Sequence, residues 1–176
     1  RWGQFLTNDQ RDLRWEKVIM AGSSHGSTTA ARFSMHQSVD RVVMFCGPRD
    51  NTETWQGGHS ATPPYRFFGF THVLDKGWQE DHYCRSWQLL KLNQCGDVVN
   101  VEKSSPPYEN TRRLITDCDL KGNVRQAHSG VVPKQSAFRN DEGTFRHEAV
   151  WKYLFLHPVE KIGEAVSPDT DCEMTP

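Results

Sequence analysis

Residues 22–26, Gly22-Ser23-Ser24-His25-Gly26, fit G-x-S-x-G and follow directly on Lys17-Val18-Ile19-Met20-Ala21. A serine on a sharp strand-to-helix turn can attack a carbonyl carbon, and its neighbours must be small where the helix passes the strand. The free N–H groups of the helix start would favour the developing oxyanion. Such a serine needs a base, and the base needs an acid to orient it. His128, in Gln126-Ala127-His128-Ser129-Gly130, is the candidate base. Asp75, in Leu74-Asp75-Lys76-Gly77, is the candidate acid, and Asp50, in Gly47-Pro48-Arg49-Asp50, is the alternative. Trp55 and Trp78 either wall a substrate pocket or pack as ordinary aromatics. A metal set of His72, Asp75 and His82 would span a strand end and a helix start, where convergence is poor. No metal and no cofactor is therefore expected. His36, His59, His147 and His157 read as structural or surface histidines.

These residues need elements to carry them. Residues 17–21, 41–46, 66–74 and 111–116 are runs of strand type, the second stopped by Gly47-Pro48. Helices are expected over residues 27–36, 79–92 and 144–157. In the middle one, Tyr83, Trp87 and Leu90 fall on one face. A short amphipathic helix is expected from Trp2 toward Asp12, a loop over 51–64 and a mobile tail over 161–176. Strands alternating with helices imply an α/β class: three layers, α/β/α, around a mainly parallel sheet. In such sheets chemistry gathers beyond the carboxyl ends of the strands. Ser24, Asp75 and His128 each follow a strand-type run.

The 176 residues amount to one domain, with 21 basic and 22 acidic side chains interspersed and a formal charge of −1. No basic block offers a footprint for nucleic acid, and no apolar run is long enough to span a membrane. Five cysteines, Cys46, Cys84, Cys95, Cys118 and Cys172, include no C-x-x-C pair. They read either as buried thiols or as two disulfides of a secreted protein, the fifth being left over or bridged to another chain. Secretion is the expectation carried forward.

The elbow GSSHG, the strand-plus-acid stretch FFGFTHVLD and the histidine loop RQAHSG, in the order serine, acid, histidine, resemble the α/β-hydrolase fold over roughly residues 12–158. The resemblance is to the C-terminal half of that fold, from the nucleophile strand onward, over residues 1–160. It implies Ser24 as nucleophile, His128 as general base, Asp75 as its acid, and the His25 backbone N–H as an oxyanion donor. The implied activity is hydrolysis of a small or polymeric carboxylic ester through an acyl-enzyme. A noncatalytic interaction domain on a degenerate hydrolase scaffold is the alternative, and acyl transfer or peptide cleavage by the same residues a weaker third. Strands that normally precede the nucleophile strand are absent. A missing N-terminal half is accordingly expected, either a second chain of a cleaved precursor or a part lost from a truncated sequence, with a shortened, noncatalytic relative as the remaining alternative.

Overall fold

The computed structural model describes residues 2–50, 52–75 and 82–168. In chain order the elements are β1 (Ile19–Ser23), α1 (His25–His36), β2 (Arg41–Phe45), α2 (Glu53–Gln56) and β3 (Phe67–His72). They continue with α3 (His82–Leu89), β4 (Val98–Asn100), β5 (Arg113–Thr116), α4 (Gln126–Ser129) and α5 (Glu148–Leu156). The five strands form one sheet in the order β1-β2-β3-β5-β4, and every pairing is parallel. The α/β class expected from the sequence is therefore present.

Side chains alternate across a strand, and the three central strands are buried on both faces. Val42, Met44, Phe67 and Ile115 pack under Ala30, Ala31 and Met35 of α1 and Tyr83 and Trp87 of α3. Val43, Phe45, Phe68, Phe70 and Leu114 pack against Val150, Tyr153 and Leu154 of α5 on the opposite face. Each large apolar side chain so enclosed contributes about 1.5–3 kcal/mol. The result is three layers, α/β/α. Among the described residues β1 pairs only with β2, so it forms one edge of the sheet.

Register brings the ends of β1 and β2 level and carries β3 and β5 two residues further in the same direction. Ser23 lies beside Phe45, Phe45 beside Phe70, and Phe70 beside Leu114. The loops carrying Ser24, Cys46, Asp75 and the residues after Thr116 thus leave the sheet at one end. Two close approaches fix that end. A Cβ on Gly22 would lie 2.2 Å from the carbonyl oxygen of Gly26, so the start of α1 touches the end of β1 backbone to backbone. A Cβ on Gly69 would lie 2.5 Å from the Trp87 ring, whose Nε1 donates to Gly47 O at 3.1 Å. Seating Trp87 on β3 also carries Tyr83, one turn earlier on α3, over the strand ends.

Among the described residues Arg41 and Arg112 are buried without a salt-bridged carboxylate, and backbone carbonyls take most of their donors instead, Arg41 Nε being left without a partner. Arg41 donates to Leu154 O and His157 O at the carboxyl end of α5, while Arg112 donates to Tyr65 O, Asn110 O, Val159 O and Lys161 O. Cations suit a helix C-terminus, so α5 is bolted to the sheet through its dipole and its apolar face together. Glu102 performs the matching task at the other end of α5. It accepts hydrogen bonds from Thr116 Oγ1 at 2.6 Å, His147 Nε2 at 3.0 Å and the Arg146 guanidinium.

Several expectations need correction. The segment from Trp2 to Asp12 is a 3-10 turn, Trp2–Phe5, followed by a bridge between Leu6 and Leu13. Hydrogen bonds from Thr7 Oγ1 to Asp9 and from the Asp12 N–H to Thr7 Oγ1 stabilise a turn in competition with helix. The third strand ends at His72, because the Asp75 N–H turns back to His72 O at 2.9 Å. The middle helix stops at Leu89; Lys91 takes a left-handed φ of 62° and a separate 3-10 turn, Leu92–Cys95, follows. The last helix starts at Glu148, after a bridge between Arg139 and Phe145. Strand β4 has too few apolar residues to show a period, and it exists by pairing with β5. Residues 161–168 of the expected tail are tied down: Gly163 N donates to Cys95 O and Asn110 O, and Val166 N to Asn93 O. The expectation of two disulfides is met at most by one: Cys46, Cys95 and Cys118 are free, buried thiols, whereas Cys84 is disulfide-bonded. Cys172 lies outside the described residues.

Two measurements check these contacts. Gly22→Ala should lower stability by about 1–3 kcal/mol, seen as a reduced urea midpoint, because backbone cannot yield as a flexible side chain would. Burial alone would raise the Glu102 carboxyl, but the donors His147, Arg146 and Thr116 outweigh it and hold it well below the usual range. A depressed carboxylate contributes stability above its unfolded pKa, about 4.3, and loses it as pH falls toward the folded value. Glu102→Gln should therefore cost about 1–3 kcal/mol at neutral pH. The gap to the unaltered chain should narrow below about pH 4.5 in urea titrations.

Candidate functional site

Ser24 stands between β1 and α1 with φ 57° and ψ −127°. For a non-glycine residue this is a strained conformation costing on the order of 1–3 kcal/mol. Its N–H donates to Phe45 O at 3.0 Å, extending the parallel ladder one step past the strand. Serine is among the best helix N-cap residues, yet the Ser24 side chain makes no cap hydrogen bond. The turn has spent strain and forgone a cap, which leaves Oγ uncommitted and half-exposed. His25 and Gly26, exposed, open the first turn of α1, where backbone N–H groups lack partners within the helix. Of the two motif glycines only Gly22 is demanded sterically, since a Cβ on Gly26 would meet nothing within 4 Å.

Asp75 and His128 meet. His128 Nδ1 lies 2.8 Å from Asp75 Oδ2, although 53 residues separate them. The carboxylate side chain is only 7% exposed and the imidazole 38%, so the pair is anchored inside and open to solvent at the ring. His128 sits on the helical turn α4, which is drawn to the end of β2 by Cys46 Sγ donating to His128 O at 2.9 Å. Asp75 holds two more partners. Tyr83 Oη donates to Asp75 Oδ2 at 2.8 Å, and Arg49 Nη1 lies 3.6 Å from Asp75 Oδ1. Arg49 Nη1 also donates to Tyr83 Oη at 2.9 Å. Burial first, and then the Asp75 charge, push the Tyr83 hydroxyl far up, which keeps it a proton donor. The same two causes raise the Cys46 thiol. Cys46, Arg49 and Tyr83 carry no motif, and only the fold reveals them.

Among the described residues no hydrogen bond joins Ser24 Oγ to the His128 ring. The two stand at the same end of the sheet, one past β1 and the other on the turn held to the end of β2. Asp50, the alternative acid, is engaged elsewhere: Trp55 Nε1 donates to its Oδ2 at 3.2 Å and Gln56 Nε2 to its Oδ1 at 3.3 Å. Trp55 is accordingly held by Asp50 and packs against the layer of α1 and α3. Trp78 lies outside the described residues. A cavity of about 180 Å³ is lined by Met35, Gln56, Thr62, Phe67 and Leu90 among others. Phe67 begins β3 and Met35 lies near the end of α1, so this cavity belongs to the opposite end of the sheet from Ser24.

Two groups of side chains have metal-ligand types within 4.8 Å of one another, Cys46 with Asp75 and His128, and Glu102 with Cys118 and His147. In the first, the Arg49 guanidinium opposes a second cation and Asp75 already receives two donors. In the second, Arg146, His147 and Thr116 occupy Glu102. The His72 ring is likewise spent: Nδ1 accepts from the Leu74 N–H at 3.0 Å and Nε2 donates to Cys118 O at 2.8 Å. The His82 side chain is outside the described residues.

What the first group can do is move a proton. A half-exposed imidazole, its Nδ1 fixed by a buried carboxylate, presents Nε2 as the acceptor, and an uncommitted serine hydroxyl leaves the neighbouring strand. Comparison with protein-family models, with curated proteins and with solved structures finds no match to this chain.

Proposed function

We propose that the chain is a serine hydrolase that cleaves a carboxylic ester. The observation that carries the reading is the 2.8 Å hydrogen bond between His128 Nδ1 and Asp75 Oδ2. In the proposed reaction His128 Nε2 takes the Ser24 hydroxyl proton as Oγ attacks the carbonyl carbon. The tetrahedral oxyanion is met by backbone N–H groups at the start of α1, with His25 as the first donor. Collapse expels the alcohol, which receives its proton from His128, and leaves an acyl group on Ser24. Water, activated by the same imidazole, then releases the acid. Asp75 holds the imidazole in one tautomer and stabilises its protonated form without taking the proton. The Ser24–His128 contact is the one that substrate must bring together, as hydrogen bonds of this kind tighten in the occupied site.

The noncatalytic reading keeps one observation in its favour, the missing hydrogen bond between Ser24 and His128. A second chain completing the sheet would pair along the free side of β1, the strand that leads into Ser24.

The folded protein should be labelled covalently at Ser24 by a fluorophosphonate probe and should hydrolyse a short-chain p-nitrophenyl ester. Ser24→Ala should abolish labelling, and His128→Ala or Asp75→Asn should lower kcat by roughly a thousandfold or more. A folded chain that takes no label at Ser24 overturns the proposal in favour of the noncatalytic domain.

A further inference from the structure

We propose that the cavity at the end of the sheet remote from Ser24 binds a small neutral alcohol or phenol, whose hydroxyl donates to Gln56 and whose hydrocarbon part fills the remaining space. The cavity measures about 180 Å³, and the buried side chains of Met35, Phe67 and Leu90 line it. His59 and Lys91 also line it and are exposed, so they mark the side open to solvent. The inference stands on this cavity alone and does not rest on the hydrolase reading.

Two buried polar side chains line the cavity, Thr62 and Gln56. Thr62 is complete: its Oγ1 donates to Gln37 O at 3.0 Å and accepts from the Val39 N–H at 3.1 Å. Gln56 is not. It is 1% exposed, and its Nε2 donates to Asp50 O and, at 3.3 Å, to Asp50 Oδ1. Its Oε1 is buried and has no donor among the described residues. Both Asp50 atoms are acceptors, which assigns Nε2 rather than Oε1 to them. The two polar atoms of a carboxamide diverge, so Oε1 is turned away from Asp50. The cavity that Gln56 lines is then where its donor must come from, since a buried acceptor left unpaired is costly.

The walls are fixed before anything enters. Ala61 N donates to Met35 O at 2.9 Å and Thr62 N to Ser34 O at 3.2 Å, which ties the loop after α2 to the carboxyl end of α1. On the other side α3 ends at Leu89, and Lys91 turns the chain with its left-handed φ of 62°. A preformed, mainly apolar pocket with a few placed polar groups is the usual form of a small-molecule site.

The chemistry of the lining selects the ligand. An amide oxygen accepts and cannot donate, so a carboxylate or phosphate finds no partner at Oε1. An ammonium would donate, but among the described residues no carboxylate lines the cavity to balance its charge. A neutral hydroxyl satisfies Oε1 and leaves the rest of the molecule apolar. An apolar cavity of roughly 150 Å³ admits benzene, so a single ring or a short branched chain suits this one.

The test uses the intact chain with isotope-labelled methionine methyls, followed by NMR and titrated with phenol or with toluene, which has nearly the same shape and no donor. Met35→Leu identifies the Met35 signal. Phenol should shift that signal saturably, and toluene should bind about tenfold more weakly because it leaves Oε1 unpaired. Gln56→Leu should abolish the preference for phenol. Leu90→Trp, which fills the cavity and leaves Gln56 in place, should abolish binding of both. Gln56→Leu also removes a donor to Asp50, so the ratio of phenol to toluene in the unaltered chain decides alone if that variant does not fold. A Met35 signal that phenol does not move at low millimolar concentration overturns the proposal. Equal binding of phenol and toluene overturns it too, leaving an unselective apolar void, as does phenol binding that survives in folded Leu90→Trp.

Discussion

A parallel strand cannot be turned around by a hairpin, and that constraint organises this molecule. Each strand must be followed by a crossover that returns to the starting end, so every segment leaving a strand departs from the same edge of the sheet. Five parallel strands therefore gather the residues after Ser23, Phe45, His72 and Thr116 into one neighbourhood, whatever their distance in sequence. The register Ser23–Phe45–Phe70–Leu114 ties these exits together, with β3 and β5 running two residues past the ends of β1 and β2. The sheet is thus a device for juxtaposition before it is anything else.

Once the ends are gathered, the buried charge of Asp75 dictates what surrounds it. A carboxylate removed from water must be met by donors or lose its charge. Here the donors arrive from the loop after β2, from α3 and from α4. Only one of the three, His128, keeps substantial contact with solvent. That asymmetry gives the cluster its direction: charge held inside, exchangeable proton outside. The Ser24 turn is held by a different force, the backbone contact of Gly22 with Gly26, which leaves its hydroxyl neither capping the helix nor otherwise occupied.

Much of the architecture was legible because buried parallel strands announce themselves. Arg41 to Cys46 and the run ending in FFGFTH are too apolar to be surface, and a glycine or proline stop follows the first. What was misread had weak or competing local signals. Val98 and Val99 make a strand only because β5 offers its edge, and the first residues fold on side-chain hydrogen bonds that no period reveals. The α3 helix was overextended because Leu90 and Leu92 are buried, which suits helix and 3-10 turn alike. The cysteines divide for a related reason: position in the core keeps three of them as thiols, while Cys84 is disulfide-bonded, and their number alone does not tell these apart.

The sequence by itself determined the α/β class, the small-residue turn at Ser24 and the order of serine, acid and histidine. These depend on local periodicity and on steric demands within a few residues, and both are written along the chain. Only the tertiary structure decided that Asp75 rather than Asp50 meets His128, for both aspartates follow strands and look alike locally. It alone brought Arg49, Tyr83 and Cys46 to the same carboxylate. The physical reason is that charge satisfaction acts across space. A buried carboxylate selects partners by the distance and direction that the packed strands and helices impose, and neither is encoded in sequence spacing.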